Sequence, residues 1–251
     1  MPPDLDLLAI EIDTLWTRDG RGRLVSAANP VPHLVIAEAL EGRLVAVGSE
    51  VPDELATELV ALAGGGPPVF PGERPPGLES CAARAATVLG PVEVRSGPSY
   101  VAESAPVAAN STASLITSDG SAPWTHPLDP PPNAGWEAEE WRALLAGELG
   151  PWAMSLAEGE IASICFCSRL TGFAAEAGLR TEPEYRRQGH GAAATAAWAS
   201  LVIATGRHAF YSTSANNTAS QRVAASLGLR PIGWLWQVAA PGGEPNESGA
   251  R

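Results

Sequence analysis

The stretch that most constrains this chain is a strand–turn–helix junction between residues 174 and 205. Ala174–Thr181 is a short run of small and apolar residues that reads as a strand. Pro183 lies in the turn that follows, and Gly189 and Gly191 then open a long Ala-rich helix over residues 191–205. Glycines at such a turn let the backbone approach a ligand closely. The start of the helix offers unbonded N–H groups and the positive end of its dipole. Arg186 and Arg187 add charge at the rim. Together these features predict an anion cradle suited to a pyrophosphate. It is not a dinucleotide-fold fingerprint, because the position three after Gly191 is Ala194 and the strand comes late in the chain. It is not a P-loop either, since the Gly-Lys-Ser/Thr ending is missing.

The rest of the composition narrows the chemistry. All 16 basic residues are arginine, which excludes a Walker lysine, a Schiff-base lysine and a Ser-Lys dyad. The formal net charge of −12 argues against nucleic acid as a partner. That charge is uneven: the first 150 residues are strongly acidic, while residues 151–240 carry more arginines than acids. The C-terminal part is thus suited to an anionic ligand, and the acidic part to solubility or to a cationic co-substrate. Cys81, Cys165 and Cys167 form no disulfide framework. Cys165 and Cys167 alternate along an apolar strand without further ligands nearby, so they are expected to pack in the core, and no metal is expected. A hydrophobic content of 45% supports a real core. No apolar run reaches the roughly 18 residues of a membrane span, and the N-terminus lacks signal-peptide character. The expectation is a cytoplasmic protein with no membrane partner.

Along the chain, residues 5–16 read as a strand or short helix. His33–Ala37 and Arg43–Val47 read as strands around a turn at Glu41-Gly42. A helix is predicted over residues 53–63, a Pro/Gly-rich linker over 67–77, and a second helix over 78–90. Tyr100–Ala102 begins a strand, residues 104–135 resist assignment, and residues 136–149 have helical spacing. Strands follow at 152–156, 161–166, 174–181 and 208–212, with the turn Glu158-Gly159 between the first two. Thr218–Leu227 reads as a helix capped by Gly228, and residues 231–238 as a last strand.

Arg186, Gly189 and Gly191 meet a Gln/Arg-x-x-Gly-x-Gly/Ala signature, and Thr181-Glu182-Pro183-Glu184-Tyr185 precedes it. A second segment runs from Asn217-Thr218-Ala219-Ser220 to Leu227-Gly228-Leu229. In these two segments, in this order and spacing, the chain resembles the GNAT-type N-acetyltransferase superfamily, most clearly over residues 150–240. The resemblance implies an α/β fold: a GNAT-type mixed β-sheet flanked by helices. Residues 1–90 match nothing in that core and read as a small α+β accessory domain, with residues 95–240 as the acyltransferase domain and residues 241–251 as a disordered tail.

The resemblance also implies acetyl-CoA as co-substrate. The backbone of Leu179, Arg180 and Thr181 would pair with its pantetheine arm. The amides of Arg187, Gln188, Gly189, His190, Gly191 and Ala192 would hold the pyrophosphate, with Arg186 at the rim. Asn217 and Ser220 would lie near the pantetheine or thioester, although Asn217 is equally a helix N-cap by residue type. Amine acylation needs a base or water path for the amine proton and an acid for the leaving thiolate. The family's usual acid, a tyrosine, falls here on Ala224. Tyr211 and Ser220 are the substitutes within reach, although a Tyr such as Tyr211 more often serves the core or an interface. Glu176, a lone carboxylate in a small-residue strand, is the candidate base or else a solvent-facing strand residue. The acceptor is expected to be an amine-bearing small molecule rather than a protein, with a homodimer left open. The alternative is a non-catalytic acyl-CoA-binding regulatory module.

Overall fold

The computed structural model describes residues 2–26, 30–108, 113–120, 128–131 and 135–242. In chain order the elements are α1 (Asp4–Leu15), β1 (Thr17–Arg18), β2 (Leu24–Val25), β3 (Leu34–Ala39), β4 (Gly42–Val47), α2 (Asp53–Ala63), α3 (Leu78–Leu89) and β5 (Glu93–Ala102). They continue with β6 (Ser114–Thr117), α4 (Ala138–Leu145), β7 (Trp152–Ala157), β8 (Glu160–Leu170), β9 (Ala174–Thr181), a 3-10 turn (Pro183–Tyr185), α5 (His190–Ala204), β10 (His208–Ser212), α6 (Thr218–Ser226) and β11 (Arg230–Ala239). Residues 243–251, most of the stretch expected as a disordered tail, lie outside the described residues.

The chain divides into two compact units. One comprises residues 1–100, the short stretch Ser212–Asn217 and the C-terminal stretch from Pro231. Its strands run in the order β4, β3, β11, β5. The last strand of the chain therefore groups with the N-terminal residues. Backbone pairing is the reason, as β11 runs antiparallel to β3 from Trp234 opposite Glu38 to Val238 opposite Leu34. Helices α2 and α3 cover one face. Leu55 and Leu59 of α2 and Leu78, Cys81 and Ala85 of α3 pack on Leu34, Ile36, Trp236 and Val238. The acids at the start of α2, Asp53 and Glu54, complement its dipole. The stretch 5–16, open between strand and helix in the sequence, is helical as far as Leu15, with Trp16 extended: Leu7, Leu8, Glu11 and Ile12 are buried at helical spacing.

Within this unit Glu38 and Arg43 form a buried ion pair across the β3–β4 hairpin. Arg43 also donates to the carbonyls of Ala63 (2.8 Å), Gly65 (3.0 Å) and Pro67 (3.2 Å), and the Val69 N–H donates to Glu38 (3.4 Å). The Pro/Gly-rich stretch expected as a linker thus begins pinned to the hairpin.

The second unit comprises Val101–Tyr211 and Thr218–Arg230. Its sheet is mixed, in the order β10, β9, β8, β7, β6. The strands from β6 to β9 are antiparallel neighbours, and β10 lies parallel to β9. The β7–β8 hairpin turns at Glu158 (φ 53°) and Gly159 (φ 87°), the paired left-handed conformation that suits a two-residue hairpin loop. One face of the sheet carries Trp152, Met154, Ile164 and Phe166 against Trp141 and Leu144 of α4. The other is covered by α5, which buries Gly191, Ala194, Thr195, Trp198 and Val202 against β7, β8 and β9. Burying each large apolar side chain contributes about 1.5–3 kcal/mol.

Among the elements that differ from the sequence reading are β5, β6 and α4. β5 begins at Glu93 rather than Tyr100, because Gly97 and Pro98 interrupt its pattern. β6, within the unassigned stretch, is only four residues long, too short to leave a periodic signal. α4 covers only Ala138–Leu145 of the helix expected over residues 136–149.

Candidate functional site

The site is built where β9 parts from a neighbour. Ala174, Ala175 and Glu176 pair with His208, Ala209 and Phe210 of β10. β9 continues to Thr181, and over that length its ladder runs with β8 on the other side, ending with Thr181 opposite Ser163. Residues 177–181 thus present an edge beyond the last β9–β10 pair. An extended chain could add to such an edge through main-chain hydrogen bonds. Leu179, Arg180 and Thr181 all lie on it.

The cradle follows directly. Arg187 (φ 64°) and Gly189 (φ 89°) adopt left-handed conformations that turn the chain into α5. The first helical bond is Ala193 N–H to the Gly189 carbonyl (3.0 Å), so the amides of His190, Gly191 and Ala192 precede it at the dipole's positive end. A Cβ placed on Gly189 would meet nothing within 4 Å, whereas one on Gly191 would sit 3.0 Å from Thr181 Oγ1 and 3.6 Å from Leu179 Cδ2. Gly191 is therefore closed in by the sheet, while the space over Gly189 is open to a ligand. Pro183, Glu184, Arg186, Arg187 and Gln188 line an open depression beside it. Arg186 Nε donates to the Thr181 carbonyl (3.2 Å) and Gln188 Nε2 to the Glu184 carbonyl (2.8 Å), which tie the loop to itself. Arg180 pairs with Glu182 (2.8 Å).

The His190 ring turns inward. Its Nδ1 lies 2.7 Å from Ser155 Oγ on β7, and the ring stands edge-on to Tyr185, with centroids 5.8 Å apart. The physical reason is Ser155, fully buried, whose hydroxyl needs a partner. Ser155 and its neighbour Ser163 are residues that the sequence reading missed. Their signal was a lone hydroxyl in each of two apolar strands.

At the fork, Glu176 is 3% exposed and not solvent-facing. It is the last β9 residue paired with β10, and Arg169 of β8 lies opposite it in register. Burial lowers the Arg169 pKa, and the Glu176 carboxylate opposes that shift. Tyr211, also 3% exposed, follows Phe210 on β10. Register partners share a face and successive strand residues alternate, so Glu176 sides with Phe210 and Tyr211 points to the opposite face. That opposite face is the α5 side, because Leu179 and Thr181 on it touch the Gly191 position. Ala224 of α6 is fully buried. Ser220 lies in the first turns of α6, and the Asn217 N–H, just before that helix, donates to the Ser214 carbonyl (3.0 Å).

Cys165 and Cys167 are both buried on the α5 face. Burial pushes the Cys165 thiol up, and the Cys167 thiol up to about 11. Among the described residues there is no group of three or more His, Cys, Asp or Glu side chains placed to hold a metal. No helix among them is long and apolar enough to cross a membrane.

Residues 107–230, just under half of the chain, match the family model of the GNAT acetyltransferase domain. No curated protein matches the chain. Among solved structures, a putative GNAT-family acetyltransferase from Novosphingobium aromaticivorans is similar over 95% of this chain and 96% of its own, at 17% identity and a TM-score of 0.47. A GCN5-related N-acetyltransferase-like protein from Streptococcus suis is similar over 83% of this chain and 84% of its own, at 12% identity and a TM-score of 0.46. A GCN5-related N-acetyltransferase from Kribbella flavida is similar over 69% of this chain and 67% of its own, at 18% identity and a TM-score of 0.41. Residues 107–230 thus match a GNAT acetyltransferase domain, and the protein is a transferase.

Proposed function

We propose that the protein transfers an acetyl group from acetyl-CoA to a primary amine by direct attack of the amine on the thioester. The observation that carries this reading is the geometry of β9. It parts from β10 after Glu176 and runs straight into the cradle at the start of α5. A ligand with a polar extended arm and a pyrophosphate matches both features. The arm adds to the edge at Leu179, Arg180 and Thr181. The pyrophosphate meets the turn from Arg187 to Ala192, with Arg186 at the rim and Asn217 and Ser220 beside the arm or thioester. The space over Gly189 fits such a group.

In this reading Glu176 accepts the proton of the attacking amine on one face of the sheet. Tyr211 donates to the leaving thiolate from the α5 face, where the family's tyrosine on α6 is replaced by Ala224. The acceptor is an amine-bearing small molecule. Isothermal titration of the protein with CoA should show saturable binding, and incubation with acetyl-CoA and a panel of amines should release free thiol. Glu176→Gln should reduce turnover by about 10²-fold or more while leaving CoA affinity unchanged; equal turnover in the variant would remove Glu176 from the mechanism. Ala224 favours a second reading, a non-catalytic acyl-CoA-binding regulatory module. CoA binding without thiol release from any amine in the panel would select it.

A further inference from the structure

Three hydroxyls lie side by side beneath the first turn of α5. Ser155 on β7 is the register partner of Ser163 on β8, and Ser163 is the register partner of Thr181, the last residue of β9. Antiparallel register partners project to the same face, so the three form a row across adjacent strands. The two serines are 0% and 1% exposed. Alanine would satisfy packing at such positions, and a buried hydroxyl is costly unless it is hydrogen-bonded. Each member of this row is bonded. Ser163 Oγ donates to the Arg180 carbonyl (2.8 Å) and lies 2.9 Å from Thr181 Oγ1. Ser155 Oγ lies 2.7 Å from His190 Nδ1.

The two ends of the row touch consecutive residues of the helix start. Ser155 holds the ring of His190. Thr181 Oγ1 stands 3.0 Å from where a Gly191 Cβ would be. Consecutive helix residues lie about 100° apart around the axis, so contacts at both set the rotation of the first turn as well as its height above the sheet. Apolar packing alone is non-directional and sets neither so sharply. The middle of the row, Ser163, also holds the end of β9 through the Arg180 carbonyl.

We propose that Ser155, Ser163 and Thr181 are positioning residues that aim the amides of His190, Gly191 and Ala192 and the β9 edge at the same ligand, which rests on the acyl-CoA reading above. The row acts through the helix start and the strand end rather than by touching the ligand.

The test is isothermal titration of the full chain with CoA, reading both Kd and binding stoichiometry, for wild type, Ser155→Ala, Ser163→Ala and Ser163→Thr. Loss of a buried hydrogen bond should raise Kd about tenfold in each alanine variant, with stoichiometry unchanged and Ser163→Thr close to wild type. A merely structural role would lower the stoichiometry through a smaller folded fraction and leave Kd where it was; that result overturns the inference, as does an unchanged Kd in both alanine variants. Either outcome leaves the acyl-CoA reading standing, because wild type still binds. Wild type that does not bind CoA overturns that reading and the inference with it. Should Ser163→Ala not fold, Ser155→Ala decides the matter alone.

Discussion

In the first unit, β3 holds partners on both sides, with five register pairs to β11 and six to β4. In the second, β9 keeps β8 for seven pairs but β10 for only three. Each strand carries a buried glutamate, and the surroundings differ in the same way. Glu38 is closed in by Arg43 and the Val69 N–H, within a strand with no edge to offer. Glu176 sits at the last pair before β9 goes on without β10, opposite a half-buried Arg169. A paired strand satisfies its own backbone and holds structure, whereas a parted one keeps donors and acceptors for a ligand. The first arrangement serves stability, and in the proposed function the second serves recognition.

The comparison predicts where stability and binding separate. The largest effect is expected for Arg43→Ala. It leaves Glu38 buried without its cation and should cost about 3–5 kcal/mol in urea denaturation, while CoA affinity of the folded fraction stays at the wild-type value. A loss of CoA affinity would show that the two units do not divide their roles in this way. Next is Gly189→Val. A β-branched residue at φ 89° carries about 1–2 kcal/mol of strain and fills the open space over the turn. CoA affinity should fall about tenfold by titration, because the side chain occupies the space over the turn while the strain itself lowers only stability; unchanged affinity would show that the cradle lies elsewhere.

A smaller effect separates neither unit from the other. Burial pushes Cys81 in the first unit and Cys167 in the second each up to about 11. Ionisation then favours the unfolded chain, whose thiols titrate lower. Stability should be unaffected by these groups below the unfolded thiol pKa, reached at about pH 8.5, and should fall as pH rises from there through 11. Thermal melts across that range check it, and Cys81→Ala should flatten part of the slope. The smallest effect is expected for Arg84→Ala. It breaks an exposed pair with Glu58 (2.7 Å) between α3 and α2 and should change stability by no more than about 0.5 kcal/mol.

Much of the second unit is legible in the amino-acid sequence. The strand at 174–181, the strand at 208–212 and the turn at Glu158-Gly159 depend on local signals: small-residue runs, Pro and Gly at turns, and short apolar alternation. α5 is readable from its opening glycines and Ala content, with its start one residue earlier than expected. The first unit is less so. α1 has a mixed apolar and acidic pattern that both periods accommodate until its buried face is known, and β5 hides behind Gly97-Pro98. Within the site, the glycines and arginines of the cradle stand out because their residue types are unusual in that pattern. Ser155 and Ser163 do not, since a single serine in an apolar strand is unremarkable until its cross-strand partner is known.

The sequence by itself determined that a strand ends in a turn whose glycines start a helix, and that arginines rather than lysines supply the charge. Those are properties of neighbouring residues, set by backbone sterics and side-chain chemistry. Only the tertiary structure decided that β9 loses β10 after Glu176, that His190 turns inward to Ser155 and that β11 joins the N-terminal strands. Glu176 and Tyr211 likewise acquire opposite faces only there. Register and pairing bring together residues distant in the chain, and the free energy that selects them comes from packing and cross-strand hydrogen bonds that no local pattern encodes.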